Sequence, residues 1–352
     1  MPVGAPFFPG NSNTYIKDHA ATGYLITQYS RNPKDFPLAR YAQYREVKKD
    51  SGYYLRMTAE QAGRLVGGTL DEFVWPDGAD RPNHNDGLET VAWADYRTQR
   101  YDFPFRLGQK AVEQAGWDVK AVEAANHAQQ AMTGRTRQMH LAFETNSNWD
   151  TGHRVDVTSI SGVSGRWDLS TTARMDIKKS INHARDLILK DTLGVVKNKA
   201  DMRLVMNPYT ARKIGECQEM VDAIKHSTDA LKHWKGDLPD YSEFGLPTLL
   251  YGIPIVVEDT VMVTSRRGAS TPTRSYVCAD NVVYLVSRPG GLMAKANSGP
   301  SFSSAMVFLY EDMTVETQND PKNRRMDGHV VNDQFCGIIA PASCFKFENV
   351  TA

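Results

Sequence analysis

The longest helical pattern in this chain covers residues 107–143. Small and apolar residues recur there at steps of three, four or seven, and no proline occurs between Pro104 and Pro208. A helix of about 25–30 residues is about 40 Å long at 1.5 Å per residue, which exceeds the usual globular length. The pattern therefore predicts a helix that braces an elongated body. Its predicted buried face is Ala111, Ala115, Val119, Val122, Ala125 and Met132.

Residues 1–37 carry proline, glycine and aromatic side chains without a sustained period. Such a segment has little core of its own and is typical of an extended arm. Exposed aromatic side chains are unfavourable in water, so we expect the arm to pack onto another subunit. Its predicted contact residues are Phe7, Phe8 and Tyr15.

Residues 38–103 alternate between apolar or aromatic and polar positions, which predicts two strands, one from Tyr41 to Met57 and one from Val91 to Tyr101. The segment between them, residues 75–87, is dense in turn residues. A two-stranded hairpin is marginal alone, so we expect it to protrude and to need a partner surface. The predicted contact residues near its tip are Trp75, Asp77 and Arg81.

The remainder of the chain mixes helices and strands. The pattern predicts a helix over 171–191, a short buried strand over 201–206, and a helix that Asn207 caps and Pro208 begins. Short strands follow from residue 241 onward, including 306–310 and 314–317, then a charged turn over 320–328 and two short strands around Pro341. The expected fold class is α+β.

Composition excludes several classes of protein. Lys plus Arg is 41 and Asp plus Glu is 41, and this neutral balance argues against a dedicated nucleic-acid binder. The four cysteines form no disulfide framework and are expected to be free thiols in a reducing cytoplasm. No signal peptide is visible at the N-terminus, and no stretch approaches the ~20 apolar residues of a membrane span.

No motif for enzyme chemistry occurs. The sequence has no dinucleotide or phosphate-loop glycine motif, no nucleophile elbow and no zinc-protease helix motif. Asp327, His329 and Asp333 mix metal-ligand types, but a charged turn that leads into a strand explains them better. The acidic pairs Glu258-Asp259 and Glu311-Asp312 are also interpreted as charged turns. We therefore predict no catalytic residue, cofactor or metal.

Two basic clusters are candidate contact sites. Arg266 and Arg267 lie in a glycine- and serine-containing loop, and Arg324 and Arg325 lie in the charged turn. Short clusters in a neutral chain are mostly solvated. Salt bridges between subunits are the main alternative, and contact with nucleic acid ranks below both.

The order of these elements resembles the Hong Kong 97-type major capsid protein of tailed bacteriophages. Residues 101–108 (YDFPFRLG) lead from the hairpin into the long helix, and 204–211 (LVMNPYTA) resemble the strand and helix before the axial domain. Residues 251–256 (YGIPIV) are similar to a strand within that domain. Residues 313–317 (MTVET) and 327–331 (DGHVV) resemble the return to the peripheral domain. The likeness extends over nearly the whole chain.

The resemblance implies an N-terminal arm over 1–37, an extended β-hairpin loop over 38–103 and a peripheral domain with a spine helix over 104–215. An axial domain over 216–305 and a return to the peripheral domain over 306–352 follow. It implies a structural subunit that is made in the host cytoplasm and assembles as hexamers and pentamers into the icosahedral shell of a virion. The implied partners are packaged double-stranded DNA, contacted non-specifically, and separate scaffolding, portal and decoration proteins.

Three alternatives remain open at the level of sequence. An encapsulin-like compartment would have the same fold and would enclose an enzyme instead of a genome. An enzyme of unknown class would need a convergent polar pocket, for which no motif exists. A tail-tube or decoration protein would be smaller, β-dominated and without a long spine helix.

Overall fold

The computed structural model describes residues 16–17, 36–56, 77, 92–114, 118–225, 246–266, 269–288 and 303–352. All structural statements concern these ranges. Phe7, Phe8, Tyr15, Trp75, Arg81 and Arg267 lie outside them.

The described chain forms strands and helices in an interleaved order. The strands are β1 (Ile16–Lys17), β2 (Gln43–Glu46), β3 (Ser51–Arg56), β4 (Ala92–Arg97), β5 (Gln99–Gly108), β6 (Arg154–Asp156), β7 (Met202–Met206), β8 (Leu249–Leu250), β9 (Ile253–Val257), β10 (Val261–Val263), β11 (Arg274–Tyr276), β12 (Val283–Ser287), β13 (Ala305–Asp320), β14 (Arg325–Ile338) and β15 (Phe345–Glu348). The helices are α1 (Leu38–Tyr41), α2 (Gln109–Gln114), α3 (Val119–Glu144), α4 (Asp176–Asp191), α5 (Pro208–Gly215) and α6 (Gln218–Lys225). Single 3-10 turns cover Asn146–Asn148, Val157–Ser159, Trp167–Leu169, Lys199–Asp201 and Pro341–Ser343.

The largest element is the antiparallel hairpin of β13 and β14, which anchors a five-stranded sheet in the order β1-β13-β14-β5. The strand β2 adds to β13 in parallel, with Met306 opposite Gln43 and Leu309 opposite Glu46. Gly328 lies directly opposite Phe105 of β5. The Phe105 ring occupies the space that a Cβ at position 328 would need, so this cross-strand pair requires glycine.

A second sheet has six strands in the order β6-β15-β12-β7-β9-β8. One of its faces packs against α4 and α5 through a core that includes Trp167, Ile181 and Phe345. The turn between β8 and β9 places Tyr251 at φ 50° and Gly252 at φ 83°, the left-handed conformation that glycine favours. The predicted entry of residues 251–256 into a buried strand is therefore confirmed.

The helix α3 crosses two hydrophobic cores. Its first half contributes Ala124 and Ala128 to a core with β5 and β14, and its second half contributes Met139 and Phe143 to a core shared with β12 and β13. The Asp118 side chain caps its N-terminus by accepting a hydrogen bond from the Ala121 N–H (3.1 Å). The predicted brace exists, and it has 26 residues.

Several sequence predictions about this helix and its surroundings are wrong in detail. The predicted helix is two described helices: α2 (Gln109–Gln114) begins directly after β5, near the predicted start, and α3 begins at Val119. Met132 is buried as predicted, but Val122 is 44% exposed, and Ala124 and Ala128 are buried instead. Tyr41 ends a helical turn, Leu38–Tyr41, and does not begin a strand.

The C-terminal third also differs from the prediction. Strands 306–310 and 314–317 are one strand, since bulges between Leu309 and Thr314 interrupt the alternation without ending the pairing. The turn covers only 321–324, and Asp327, His329 and Asp333 lie in β14. Across the paired strands, Asp327 contacts Arg106, His329 contacts Asp102, and Asp333 contacts Arg100. These charged residues therefore belong to two paired strands and not to a turn.

Candidate assembly surfaces

The base of the predicted hairpin is an antiparallel pair of β3 and β4, with Ser51 opposite Arg97 and Arg56 opposite Ala92. Tyr96 stacks on Phe308 of β13 at a centroid distance of 4.7 Å, and Tyr54 stacks on the same ring at 6.2 Å. A Cβ at Gly52 would lie 2.8 Å from the Tyr96 hydroxyl oxygen. Aromatic stacking on Phe308 therefore attaches the base of the hairpin to β13 of the five-stranded sheet.

The opposite side of this hairpin base is open to solvent. Tyr53 is 75% exposed, the largest exposed fraction among the large hydrophobic side chains in the described part of the chain. Asp77, near the predicted tip, is also exposed. The hairpin thus has one face fixed to its own subunit and another available to a neighbour.

Arg324 and Arg325 lie at the tip of the β13–β14 hairpin. Arg324 has φ 47° in the turn, is exposed, and its carbonyl accepts the Gln109 N–H (2.9 Å). Arg325 forms ion pairs with Asp320 (3.3 Å) and Asp327 (3.4 Å). Hydrogen bonds from Asn323 lower the pKa of Asp320, which keeps its carboxylate charged. Arg325 therefore stabilises its own turn, and Arg324 is the more available of the two.

Arg266 is exposed in the loop between β10 and β11, which form a separate two-stranded sheet. Val261 and Val263 of β10 are 47% and 59% exposed. Among the described residues, the two basic clusters thus belong to different sheets, and they represent two separate surface features.

A buried cation joins α3 to the β13–β14 hairpin. Arg135 is 1% exposed, and its Nη2 donates to Asp312 (2.6 Å) and Asn332 (2.9 Å), while its Nε donates to Gln334. Burial lowers the pKa of Arg135, but Asp312 and Tyr44 more than offset this, so the net pKa is raised. The bulges of β13 precede and follow Asp312, and they allow its carboxylate to meet the helix.

A second buried polar cluster joins α1, α3 and the end of β9. The Tyr41 hydroxyl donates to Glu258 Oε2 (2.9 Å) and lies 3.0 Å from His140 Nε2, and Thr260 donates to Glu258 Oε1 through its N–H (3.2 Å) and its hydroxyl. Because Tyr41 gives its one proton to Glu258, His140 Nε2–H must donate to the tyrosine oxygen.

Burial controls ionisation in this cluster. It lowers the pKa of His140 to about 3, with a further contribution from the charge of Arg137, and it raises the pKa of Glu258. His140 is therefore neutral in the folded chain. The prediction that Glu258 and Asp312 belong to charged turns is wrong, because one is buried and the other binds a buried arginine.

A third cluster holds the start of α4. Glu219 of α6 accepts hydrogen bonds from Ser170, Tyr251 and the Ile177 N–H, the last at 3.3 Å. The carboxylate thus satisfies a helix N-terminal donor from outside the helix, where a negative charge is favourable. This contact links α4, α6 and the β8–β9 turn.

The four cysteines are free, and three of them are buried. Burial raises the pKa of Cys217 to about 11 and that of Cys336 to about 12, so both stay protonated and poorly nucleophilic at neutral pH. No disulfide forms among them, as predicted. Cys344 precedes β15 and is not within a strand.

Within the described ranges, no group of three histidine, cysteine or acidic side chains is arranged to hold a metal ion. No helix there is long and apolar enough to cross a membrane.

Comparison with known proteins identifies the fold. No family model matches the sequence, and no curated protein matches it. A phage-related protein from Bordetella bronchiseptica RB50 gives a TM-score of 0.62 at 14% identity over 96% of this chain and 99% of that chain. The mature capsid of bacteriophage PhiM1 gives 0.53 at 11% identity over 98% and 92%. The capsid of a native GTA particle gives 0.50 at 12% identity over 100% and 95%.

The chain has the fold of phage capsid proteins, in the mixed α+β Hong Kong 97-type arrangement. The resemblance stated from the sequence is confirmed at this level. The two buried joints at Arg135 and Glu258 were missed: Arg135 was not singled out, and Glu258 was interpreted as part of a charged turn. The helical spacing of Ala128, Met132, Arg135 and Met139 was the available signal, because it places the arginine on the buried face.

Proposed function

We propose that this chain is the major capsid protein of a tailed bacteriophage, a subunit that assembles with copies of itself into a closed shell around double-stranded DNA. The observation that carries the proposal is the end-to-end likeness to a mature phage capsid, 98% of this chain against 92% of that one. The match extends over most of both chains, and the protein that it matches is part of a mature capsid. We therefore propose a structural and not an enzymatic role.

The structural roles that we propose for the parts of the chain follow the predicted segments. The arm over 1–37 and the hairpin over 38–103 reach neighbouring subunits, while residues 104–215 and 306–352 form the peripheral part and 216–305 the axial part. The exposed Tyr53, Asp77, Arg266 and Arg324 are consistent with contact surfaces. Repeated weak contacts of this kind stabilise a closed symmetric assembly. Scaffolding, portal and decoration proteins are further proposed partners, and the virion is the proposed location.

Negative-stain electron microscopy of the purified chain, alone and with a candidate scaffolding protein, tests the proposal. Uniform closed shells, or hexamers and pentamers, are expected. A stable monomer under all conditions would contradict the shell function. Nucleic acid extracted from shells purified from infected cells would distinguish a capsid from an encapsulin-like compartment, which would contain a protein cargo.

Two charge-reversal variants and one control variant test the predicted contact residues. Arg266→Glu and Arg324→Glu reverse exposed charges at predicted contacts, and we expect fewer or irregular shells. Arg212→Glu reverses an exposed charge on α5 for which no contact is predicted, and it should assemble normally. Equal assembly of all three variants would overturn these contact assignments.

A further inference from the structure

Two arginines lie near each other where the β7–β12 pairing ends. In this antiparallel pair Val286 is opposite Arg203 and Ser287 is opposite Met202, so Arg288 comes next, opposite Asp201 and diagonal to Arg203. The backbone N–H of Arg288 donates to the Asp201 carbonyl (2.7 Å), which fixes the position of its main chain. Both side chains are half-buried, and both therefore retain access to solvent.

A third arginine is held close to this pair. Arg288 Nη1 donates to the carbonyl of Arg40 in α1 (3.1 Å), and Arg40 itself is exposed. The register of β7 and the contact with α1 thus bring the side chains of Arg203 and Arg288 and the main chain of Arg40, from distant parts of the sequence, to one rim. We call Arg40, Arg203 and Arg288 the arginine rim.

The hydrogen bonds of the rim go to uncharged acceptors. Arg203 Nη1 donates to the carbonyls of Ala200 and Met202, the latter at 2.7 Å. Within the described ranges, no carboxylate lies in ion-pair distance of a rim guanidinium. Asp201 is the acidic residue whose charge acts on Arg203, and its carboxylate accepts a hydrogen bond from Asn198 (3.3 Å).

The electrostatics agree with an excess of positive charge. Burial lowers the pKa of Arg288, and the neighbouring charge of Arg203 lowers it further. Burial likewise lowers the pKa of Arg203. Both groups remain cationic at neutral pH, so the rim holds positive charge that no ion pair within the described ranges neutralises. Arg135, by contrast, is satisfied by Asp312.

We infer that the arginine rim is a phosphate-binding site whose ligand is the phosphodiester backbone of nucleic acid. A guanidinium presents a rigid fork of donors that matches phosphate oxygens, and the main-chain contacts hold Arg203 and Arg288 before any ligand arrives. Because the proposed contacts are to phosphate oxygens, which carry no sequence information, we expect binding to be independent of sequence. The identity of this ligand rests on the proposed function, because a DNA-filled shell supplies that polyanion.

This inference is compatible with the neutral composition. A chain with 41 basic and 41 acidic residues gains no affinity from net charge, so contact must come from a local site. A few phosphate contacts per subunit would then give weak individual binding. Weak binding repeated over many copies holds a polymer without fixing it in one register.

Fluorescence anisotropy of a labelled 20-base-pair DNA duplex, titrated with the full-length unassembled chain at several salt concentrations, tests the inference. The slope of log affinity against log salt becomes shallower by about 0.9 for each phosphate that the protein no longer neutralises. We expect Arg203→Gln/Arg288→Gln to weaken binding at 50 mM salt about tenfold and to reduce the slope by about one to two. Arg203→Lys/Arg288→Lys keeps the charges and should retain most of the slope.

The matched control is Arg212→Gln/Lys178→Gln, which removes two exposed positive charges from α5 and α4. It should bind like the unmodified chain, and equal losses in both double variants would overturn the site in favour of general charge. Polyglutamate is the competitor for an acidic protein partner. Competition equal to that of DNA at equal charge would also overturn the inference.

Shell formation is scored separately by electron microscopy. Normal shells with unchanged DNA binding in the glutamine variant would reject the arginine rim and leave the shell function intact. An absence of shells from the unmodified chain would instead count against the proposed function. Circular dichroism and thermal unfolding establish that each variant is folded before it is compared.

Discussion

At the scale of single residues, buried charge is the costly feature of this molecule. Removing one partner of a buried, hydrogen-bonded ion leaves the others without compensation. Arg135 has three side-chain acceptors on β13 and β14, and it lies between the two cores that α3 crosses. Replacing Arg135 should therefore destabilise both α3 and the β13–β14 hairpin.

We predict that Arg135→Met lowers the free energy of unfolding by roughly 3 kcal/mol, because Asp312, Asn332 and Gln334 lose their shared donor. Urea denaturation followed by circular dichroism measures this. Arg106→Met is the control, since Arg106 is 71% exposed in its pair with Asp327 and such pairs contribute at most about 1 kcal/mol. Equal effects would show that the buried network does not stabilise the fold.

The pKa of His140 gives a prediction about pH. Its value is about 3 in the folded chain against 6.5 for the unperturbed group, so the unfolded chain binds more protons between these values. The contribution of neutral His140 to the free energy of unfolding is therefore fully present above pH 6.5. It is lost as the pH falls toward 3. The lowered pKa of His140 corresponds to a change in the free energy of unfolding of at most about 5 kcal/mol. The raised pKa of Glu258 acts in the opposite direction, because its protonation at low pH favours the folded state.

We expect His140→Gln to flatten the loss of stability between pH 7 and pH 4.5, because glutamine can donate to Tyr41 but does not titrate. Thermal unfolding at a series of pH values measures the slope. Met139→Leu changes an adjacent buried side chain without changing a titratable group, so it should keep the original slope. A slope that His140→Gln leaves unchanged would contradict the assignment.

At the scale of elements, the hairpin of β13 and β14 depends on one close cross-strand contact. Gly328→Ala should lower the free energy of unfolding by about 1–3 kcal/mol, because the new Cβ overlaps the Phe105 ring. Urea denaturation again provides the measurement. Gly108→Ala is the matched control at the end of the paired strand β5, where a Cβ meets nothing within 4 Å. An equal response at both positions would show that the ring moves away freely.

Elements with strong local signals were predictable from the sequence. Asn207 accepts the Thr210 N–H (2.7 Å) and Pro208 begins α5, as the Asn-Pro pair indicates. Elements whose limits depend on distant partners were not predictable. Residues 101–108 are extended because β14 pairs with them, and the residues of β13 remain one strand across two bulges because β14 follows them. Local periodicity contains no information about such partners.

The candidate contact residues likewise show that sequence alone does not reveal distant partners. Their exposure could be inferred for Arg266 and Arg324 from loop composition, and the structure places both at the surface. Arg325 looked equivalent to Arg324 in sequence, yet Asp320 and Asp327 engage it. The arginine rim was not predictable, because Arg40, Arg203 and Arg288 are brought together only by strand register and by the position of α1.

At the scale of the whole molecule, the described part of the N-terminal segment is one short strand, β1. Ile16 and Lys17 pair with Thr317 and Glu316, which is a short contact at the edge of the five-stranded sheet. We predict that deletion of residues 1–30 leaves a folded subunit and blocks shell formation, because the aromatic arm is removed. Electron microscopy and thermal unfolding measure the two outcomes.

A substitution provides the matched control for that deletion. Phe7→Ala, Phe8→Ala and Tyr15→Ala together remove only aromatic side chains and should impair assembly in the same way. Normal shells from the deleted chain would contradict the role of the arm. Normal shells from the triple variant alone would assign that role to other residues of the segment.

The six-stranded sheet has a consequence for synthesis on the ribosome. Its strand β15, residues 345–348, lies between β6 and β12, so these two strands are joined only through a strand that is translated after both of them. A product truncated before Phe345 would leave the facing edges of β6 and β12 unpaired. Unpaired strand edges favour aggregation, so we expect such a truncated product to be degraded by proteases.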